Sequence, residues 1–360
     1  MRPVVGNPPR ASLKKDVFFV SKSKKSNPIG GKMTREEFSD FLKKLKKTND
    51  HGGDIDSFVK KYEHRNVYIY NDACLKKIFA TEANIALTTD LVNASLGLVG
   101  SKRISNPKLV NPFIPGEKGY KSVEPDILLL QSNVKKPRDR ISFEFQHEGG
   151  ELYKDRLILY IARHTSNMVN AGVIPKLDNL QVVSFQLFDT FPWARSKNYR
   201  HVIQFKDQEN NVFFNKQTIT LVEVKKFFDK NDIFANDHSR LAQWLRAIDT
   251  LNKDEDFSAF SQDPNFKVLQ KECVLSNFSS RFLLTEAMRM TDIALVKYNA
   301  TKEGEKIGEK RGEKRGEKRG EINGALKKAK EMAKKMLDAK EPFSKILDFT
   351  GLTEAQIKAL

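Results

Sequence analysis

Hydrophobic spacing near the start of the chain predicts an amphipathic helix over residues 34–47, TREEFSDFLKKLKK. Its apolar positions recur every three or four residues and fall on one face, at Phe38, Phe41, Leu42 and Leu45. Thr34 and Glu37 are spaced as a capping box, in which each side chain bonds the other residue's backbone N–H. A further short helix is predicted over residues 55–62 after the break at DHGGD.

The middle of the chain alternates between helical and extended patterns. We expect a helix from Asp72 through residue 97, strands at 127–130 and 141–146, a helix at 151–170 closed by Gly172, a buried strand at 180–188, and a hairpin of 200–205 with 212–224. Residues 17–20, VFFV, could add an edge strand. After residue 237 the pattern is helical to the end, and this order is typical of an α/β fold.

Glycine recurs every fourth residue from Gly304 to Gly324, within GEKIGEKRGEKRGEKRGEING. On a helix these positions advance by roughly 40° each, so the glycines form a slowly winding stripe. A solvated linker helix is the simpler interpretation, and close pairing with another helix across the stripe is the alternative. Thr353 and Gln356 have the spacing of a second capping box near the C-terminus.

The strand ISFEFQ at residues 141–146 carries polar side chains where a core strand would not need them. Successive strand residues face opposite sides, so Ile141 and the two phenylalanines share one face while Glu144 and Gln146 share the other. A carboxylate is costly to place beside a core unless a partner compensates its charge. This face is therefore either solvated or a functional site.

Asp126, which follows Pro125, lies at the mouth of the preceding strand. If the two strands form a hairpin centred near residue 135, Asp126 lies opposite Glu144; a centre at 136 places it opposite Gln146. Cross-strand neighbours have Cβ atoms about 5 Å apart, and two carboxylates that close repel unless a cation lies between them. Taken alone, Asp126 is best explained as a strand cap and Glu144 as a surface carboxylate. Taken together, and with the excess of basic over acidic residues in the chain, the two acids favour a metal site.

Hard oxygen ligands with room for water suit Mg²⁺ or Mn²⁺. The backbone carbonyl of Phe145 is available as a third ligand, and Gln146 can hold a water or contact a phosphate. Such a metal can activate water and stabilise charge on a phosphate. On the helix predicted after this strand, Arg156 and Arg163 share a face, either as a salt-bridged surface or as a phosphate contact. His147 follows the motif but points to the opposite face from Gln146, which favours a buried or edge histidine over a base.

The chain carries 63 Lys and Arg against 46 Asp and Glu, a formal charge of +17, which indicates a polyanionic partner. Residues 1–66 contribute +8 and residues 301–360 contribute +5, so most of the excess of +17 lies in the two ends. Those ends are either solvated tails or arms that hold phosphates. The two distant cysteines, Cys74 and Cys273, favour neither a disulfide framework nor a zinc site. We expect a cytoplasmic protein with no membrane segment and no signal peptide.

The motif set EPD, apolar strand, polar loop and FEFQ resembles the PD-(D/E)xK nuclease superfamily. More narrowly, it is similar to the recombination-promoting nuclease branch, the PD-(D/E)xK nuclease family transposases, in which ExQ often stands where other members have ExK. YNDACLKKIFATEAN, RLILYIARHTSNMVNAG, LQVVSFQLFDTFPW, RLAQWLRAI, the glycine repeat and GLTEAQIKAL also resemble segments of that family. The resemblance covers roughly residues 67–360.

This resemblance implies an α/β fold with a restriction-endonuclease-like core, a mixed sheet flanked by helices, and a helical C-terminal extension. It implies Asp126 and Glu144 as metal ligands, with Gln146 at the position of the superfamily's active-site lysine. Asp72 and Glu82 are accessory candidates, although each is individually better explained as a helix cap or a solvated surface residue. We expect a basic, partly disordered extension at 1–66, the nuclease-like core at 67–236, a helical region at 237–300 and the glycine-repeat helix with short C-terminal helices at 301–360.

The leading hypothesis is a Mg²⁺-dependent DNA endonuclease acting in recombination or transposition, with Asp126, Glu144 and Gln146 as its catalytic residues and Arg156 as an accessory residue. One alternative is a catalytically inactive DNA-binding or assembly protein of the same fold, because Gln146 replaces a lysine. Another is a structural protein that forms homo-oligomers through its C-terminal helices.

Overall fold

The computed structural model describes residues 33–114, 122–131, 139–168, 176–229 and 231–360. The stretch 17–20, the loop between the two central strands and Gly172 lie outside the described residues. The helix predicted to run to residue 170 ends earlier, at Ser166, with Asn167 as its C-cap. The helices are α1 (Arg35–Asp50), α2 (Ile55–Lys60), α3 (Asp72–Phe79), α4 (Ile85–Leu96), α5 (Glu151–Ser166), α6 (Val224–Phe227), α7 (Arg240–Asn252), α8 (Pro264–Glu272), α9 (Ser280–Asp338), α10 (Phe343–Thr350) and α11 (Glu354–Lys358). The strands are β1 (Lys108–Leu109), β2 (Ile127–Gln131), β3 (Asp139–Gln146), β4 (Asn179–Gln186), β5 (Arg200–Lys206) and β6 (Val212–Glu223).

The helix predicted to begin with Asp72 as its cap differs from the observed one in two respects. Its N-cap is Asn71, whose side-chain oxygen accepts from the Cys74 N–H at 3.1 Å. The helix also ends at Phe79, and a 3₁₀ turn leads into α4. Side chains stabilise this break, because Asn84 donates to the Ile78 carbonyl at 2.7 Å and Thr88 donates to the Phe79 carbonyl at 2.6 Å. Such side-chain bonds replace the helical bonds that the break removes.

The six strands form one mixed sheet in the order β1-β2-β3-β4-β6-β5. β3, β4 and β6 run parallel, whereas β1 pairs with β2, β2 with β3, and β5 with β6 antiparallel. The predicted hairpin of β5 and β6 is confirmed. Ile127 pairs with Phe143, which is the register centred on residue 135. The carboxyl ends of three parallel strands thus lie side by side at one edge of the sheet.

Each face of the sheet has its own apolar layer. On the face that carries Glu144, the α5 residues Tyr153, Leu157 and Ile161 pack over apolar residues of β4 and β6. On the other face Phe143, Phe145 and Phe185 form a cluster with ring centroids 5.1–5.2 Å apart. β4 is buried on both faces, as parallel strands usually are, although four of the eight residues in NLQVVSFQ are polar.

Contacts divide the chain into two compact units, the first formed by Met1–Phe38 with Tyr62–Asn277 and the second by Ser39–Lys61 with Phe278–Leu360. The first contains the sheet. In the second, α9 is a single helix of 59 residues that includes every glycine of the repeat. Its last turns pack on α10 and α11 through Ala333, Ile346, Leu352 and Ile357. The capping boxes predicted at Thr34–Glu37 and at Thr353–Gln356 are both confirmed.

Acid sensitivity follows from His164 on α5, which is 2% exposed and has its Nε2 buried without a partner among the described residues. Burial and the Arg140 charge lower the pKa of His164 from 6.5 to about 4. The folded protein therefore keeps this histidine neutral, while the unfolded chain takes up a proton below pH 6.5. We expect the free energy of unfolding to fall by roughly 2 kcal/mol from this residue between pH 6.5 and 5.

Urea unfolding at pH 7 and pH 5 measures this effect. His164→Leu should remove the part of the decrease in unfolding free energy at low pH that comes from this histidine. His64→Leu, a change at an exposed histidine, should leave the pH dependence of the wild type in place. Equal pH dependence in the wild type and His164→Leu would contradict the assignment.

Candidate active site

Glu144 lies near the carboxyl end of β3, on the sheet face that α5 covers, and is 4% exposed. Its Oε2 accepts a hydrogen bond from Gln146 Nε2 at 2.9 Å. Its Oε1 is buried and has no hydrogen-bond partner among the described residues. An ionised carboxylate with one buried, unsatisfied oxygen is unfavourable, so this position is suited to a cation or a proton.

Asp126 reaches the same strand from the segment before β2. Its Oδ2 accepts from the backbone N–H of Phe145 at 2.8 Å, and its Oδ1 lies 3.7 Å from Lys76 Nζ. The Gln146 carbonyl bonds the Leu187 N–H on the β4 side. Because backbone groups of neighbouring strand residues alternate in direction, the Phe145 carbonyl points toward the side on which Asp126 lies. Asp126, Glu144 and this carbonyl thus occupy one region.

Both carboxyl groups have a raised pKa when no cation is bound. Burial raises the pKa of Asp126, and the nearby Asp72 charge adds to this effect, while the Phe145 N–H and Lys76 oppose it. Burial also raises the pKa of Glu144 well above its usual value, and the Asp126 charge raises it further. The two acids are therefore close enough to repel each other. Perturbed carboxyls of this kind cluster at functional sites.

A chain of hydrogen bonds links α5 to Glu144. Arg156 donates from Nη2 to Gln146 Oε1, and the Gln146 amide donates to Glu144. Because the guanidinium can only donate, it fixes which end of the Gln146 amide faces Glu144. On the same helix, burial and the Glu144 charge raise the pKa of Tyr160 to about 12. The face of α5 with Arg156 and Tyr160 therefore borders the site.

The start of α3 forms the opposite side of the site. Asp72 Oδ1 lies 3.2 Å from His147 Nε2, and Lys76, one turn later, lies between Asp126 and Glu124 at 3.7 and 3.8 Å. Asp72 lies near enough to Asp126 for its negative charge to raise the pKa of that carboxyl group. Glu82 is exposed in the 3₁₀ turn after α3 and does not contact the site within the described part of the chain.

The residues fit a divalent cation that keeps part of its water shell. Within the described ranges no three His, Cys, Asp or Glu side chains are placed to hold an ion by themselves. Asp126, Glu144 and the Phe145 carbonyl would supply three oxygen ligands, and water would supply the rest. Mg²⁺ is commonly bound in this way, with one or two carboxylates and several waters. The unpartnered Glu144 Oε1 is the observation that favours such a ligand.

Sequence reasoning did not single out Lys76 as a neighbour of the acids. The sequence feature that could have identified Lys76 is its spacing of four residues from Asp72, which places both side chains on one face of a helix. The Asp72–His147 contact was also missed, because it joins α3 to the end of β3 and depends on the tertiary fold. His147 had been interpreted as a buried or edge histidine, and its side chain is 22% exposed.

A mixed sheet flanked by helices, with acids at the carboxyl end of a central strand, has the architecture of restriction-endonuclease-like α/β proteins. Residues 69–302 match the profile described as PD-(D/E)XK nuclease family transposase, and the chain belongs to this family. No curated protein and no solved structure matches the chain significantly. None of the helices in the described ranges combines the length and apolar character needed to cross a membrane.

Proposed function

We propose that the protein is a DNA endonuclease that depends on Mg²⁺ or Mn²⁺ and cleaves phosphodiester bonds during recombination or transposition. The observation that carries this proposal is the buried Glu144, with one unpartnered oxygen, beside Asp126 at the end of β3. Membership of a nuclease family supports DNA as the substrate. The positive charge of the chain, +17, supports a polyanionic partner.

The residues take distinct roles in this proposal. Asp126, Glu144 and the Phe145 carbonyl hold the cation, which supplies activated water and neutralises charge on the phosphate. Gln146 donates to Glu144 and cannot act as a base, so it orients the carboxylate. Arg156 holds the Gln146 carbonyl, and its remaining N–H groups are available for a phosphate oxygen. Burial of Glu144 keeps competing water away from that carboxylate.

Supercoiled plasmid tests the proposal directly. The full chain is incubated with plasmid in Mg²⁺ and, separately, in EDTA, and nicked and linear products are resolved on a gel. Products that need both the cation and Asp126 support the endonuclease. Equal nicking by the wild type and Asp126→Ala would show that the activity comes from elsewhere, and no nicking by a folded wild type in Mg²⁺ or Mn²⁺ counts against the proposal.

A second candidate is an inactive DNA-binding or assembly protein of the same fold. The observation that favours it is that Gln146, whose neutral amide cannot act as a base, lies beside Glu144 with both ends of its amide engaged, by Glu144 and by Arg156. Duplex binding without nicking, with a shared affinity for the wild type and Asp126→Asn, would favour this candidate.

Arg156→Leu is expected to lower the rate of nicking by about 100-fold, as loss of one preorganised donor commonly does. The change removes the bond that orients Gln146 and the charge beside Glu144. Initial rates of plasmid nicking at several plasmid concentrations measure the effect. Lys154→Leu, a change at an exposed residue two positions away on α5, is the matched control. A similar loss in both variants would mean that general attraction for DNA, rather than the contact with Gln146, is responsible.

A further inference from the structure

A cavity of about 300 Å³ with a mixed polar and apolar lining lies on the sheet face opposite Glu144. Gln181 and Thr220 belong to its lining and stand in register with Ile141 and Val183, residues of that face. The lining also includes Lys102 from the segment after α4 and Arg200 from β5. This volume is at the small end of the range for ligand pockets in proteins. None of the residues assigned to the candidate active site lines it.

Arg200 is a half-buried cation without a carboxylate partner in the described part of the chain. Its Nε donates to the Ser95 carbonyl at 2.7 Å and its Nη2 donates to the Leu96 carbonyl at 2.8 Å. These carbonyls at the end of α4 carry only partial negative charge. Burial accordingly lowers the pKa of Arg200. A guanidinium held in this way keeps Nη1 available and would gain from an anion.

Two glutamines add hydrogen-bond donors to the same cavity. Gln131 Oε1 accepts from the Ser105 N–H at 2.7 Å, and Gln181 Oε1 accepts from the Thr218 hydroxyl. Because each carbonyl oxygen is used within the protein, each side chain has its NH₂ group left to donate. Lys102, whose side chain is exposed, adds a second full positive charge to the lining. A cavity with this excess of donors selects for an acceptor-rich, anionic ligand.

The one acid of the lining, Asp139, lies at the far end from Arg200. Asp139 begins β3, and its Oδ1 accepts from Asn179 Nδ2 at 2.8 Å. Arg200 instead aligns, across β6 and β4, with Phe145 at the other end of β3. Both residues nevertheless line one cavity of about 300 Å³, so the negative charge of Asp139 acts within it. The two cations of the lining, Arg200 and Lys102, outnumber this single acid and leave the cavity suited to an anion.

We propose that this cavity binds a small phosphate ester of the size of a nucleoside monophosphate, with its phosphate at Arg200 and Lys102. The apolar part of the wall, which includes Leu98 and Val202, would contact the uncharged body of the ligand. The glutamine amides would donate to its oxygen atoms. A cavity of about 300 Å³ has room for a single small ester and favours it over the backbone of duplex DNA, whose phosphates cannot leave the helix surface.

Calorimetric titration of the full chain with AMP tests this site. The Asp126→Asn background and EDTA are used, so that binding at the candidate active site does not contribute. AMP is expected to bind with a dissociation constant below 1 mM, which corresponds to a binding free energy of roughly −4 kcal/mol or better. Adenosine, which lacks the phosphate, is expected to bind at least tenfold more weakly. Lys102→Met should weaken AMP about tenfold, the usual effect of losing one charge-assisted contact. Lys267→Met, at an exposed position of α8, is the control and should leave binding unchanged.

Three results would overturn the site. They are absence of AMP binding at millimolar concentration, equal binding of AMP and adenosine, and an AMP affinity that does not change in Lys102→Met and Thr220→Val. A short DNA duplex serves as competitor: its failure to displace AMP supports a free phosphate ester, whereas displacement would assign the cavity to DNA and overturn the proposal. Arg200 is left intact, because its bonds to the end of α4 make a folding defect the expected result of changing it.

Discussion

Asp126→Asn is expected to reduce Mg²⁺-dependent plasmid nicking by at least about a thousandfold, because it removes one of two acidic ligands of the proposed cation. Asparagine has nearly the same shape, and its side-chain oxygen can still accept from the Phe145 N–H. The fold should therefore be retained while the charge is lost. Initial rates of nicking, measured with circular dichroism on the same preparation, separate loss of chemistry from loss of structure.

Glu209→Gln is the matched control for this variant. Glu209 is an exposed acid in the turn between β5 and β6, away from the site, and its replacement removes the same unit of charge. Activity within about twofold of the wild type is expected, as for most surface substitutions. If Asp126→Asn retained comparable activity, Asp126 would have no part in the reaction and the proposed ligand set would be wrong.

Glu144→Gln is expected to stabilise the cation-free protein by about 1–3 kcal/mol at pH 8 while abolishing nicking. Glu144 is buried, and its Oε1 lacks a partner in the described part of the chain. Burial raises the pKa of this carboxyl in the folded state, so the folded protein binds the proton more tightly than the unfolded chain. Stability from this group is therefore present at acidic pH and is lost as pH rises above about 4.5. Glutamine is neutral at every pH and removes this loss.

Urea unfolding in EDTA at pH 5 and pH 8 measures the difference, and the gain should be larger at pH 8. Added Mg²⁺ should then stabilise the wild type but not Glu144→Gln, because the variant lacks the second acidic ligand. Glu209→Gln should follow the wild type in both conditions. A variant less stable than the wild type at pH 8 in EDTA would show that Glu144 is compensated in a way that its contacts do not reveal.

The elements that the sequence predicted well are those decided by neighbouring residues. The capping boxes at Thr34 and Thr353 depend on residues three positions apart, and both formed as expected. The alternation in ISFEFQ placed Glu144 and Gln146 together on one face of β3. Two hairpin registers are compatible with the sequence, and the observed one is centred on residue 135, with Ile127 opposite Phe143.

Features decided by distant residues were not predictable in the same way. Asn71 and Asp72 are both good N-caps, and the choice between them depends on how α3 packs. Side-chain bonds from Asn84 and Thr88, which no periodicity reports, end α3 early. The series of hydrogen bonds from Arg156 through Gln146 to Glu144 could not be predicted, because it depends on where α5 lies on the sheet. The pattern along one strand predicts where the acidic side chains lie, but it does not predict the positions of Lys76 and Arg156 beside them.

The hydrogen bond between Asp126 and the Phe145 amide has a consequence for how the protein can vary. Because the donor belongs to the main chain, exchange of the Phe145 side chain for another apolar one leaves the contact available. A one-residue insertion inside either β2 or β3 would instead move the amide away and turn the acidic positions to the wrong face. Changes in length are therefore restricted to the connection between these strands, and the acids are specified by spacing as much as by residue type.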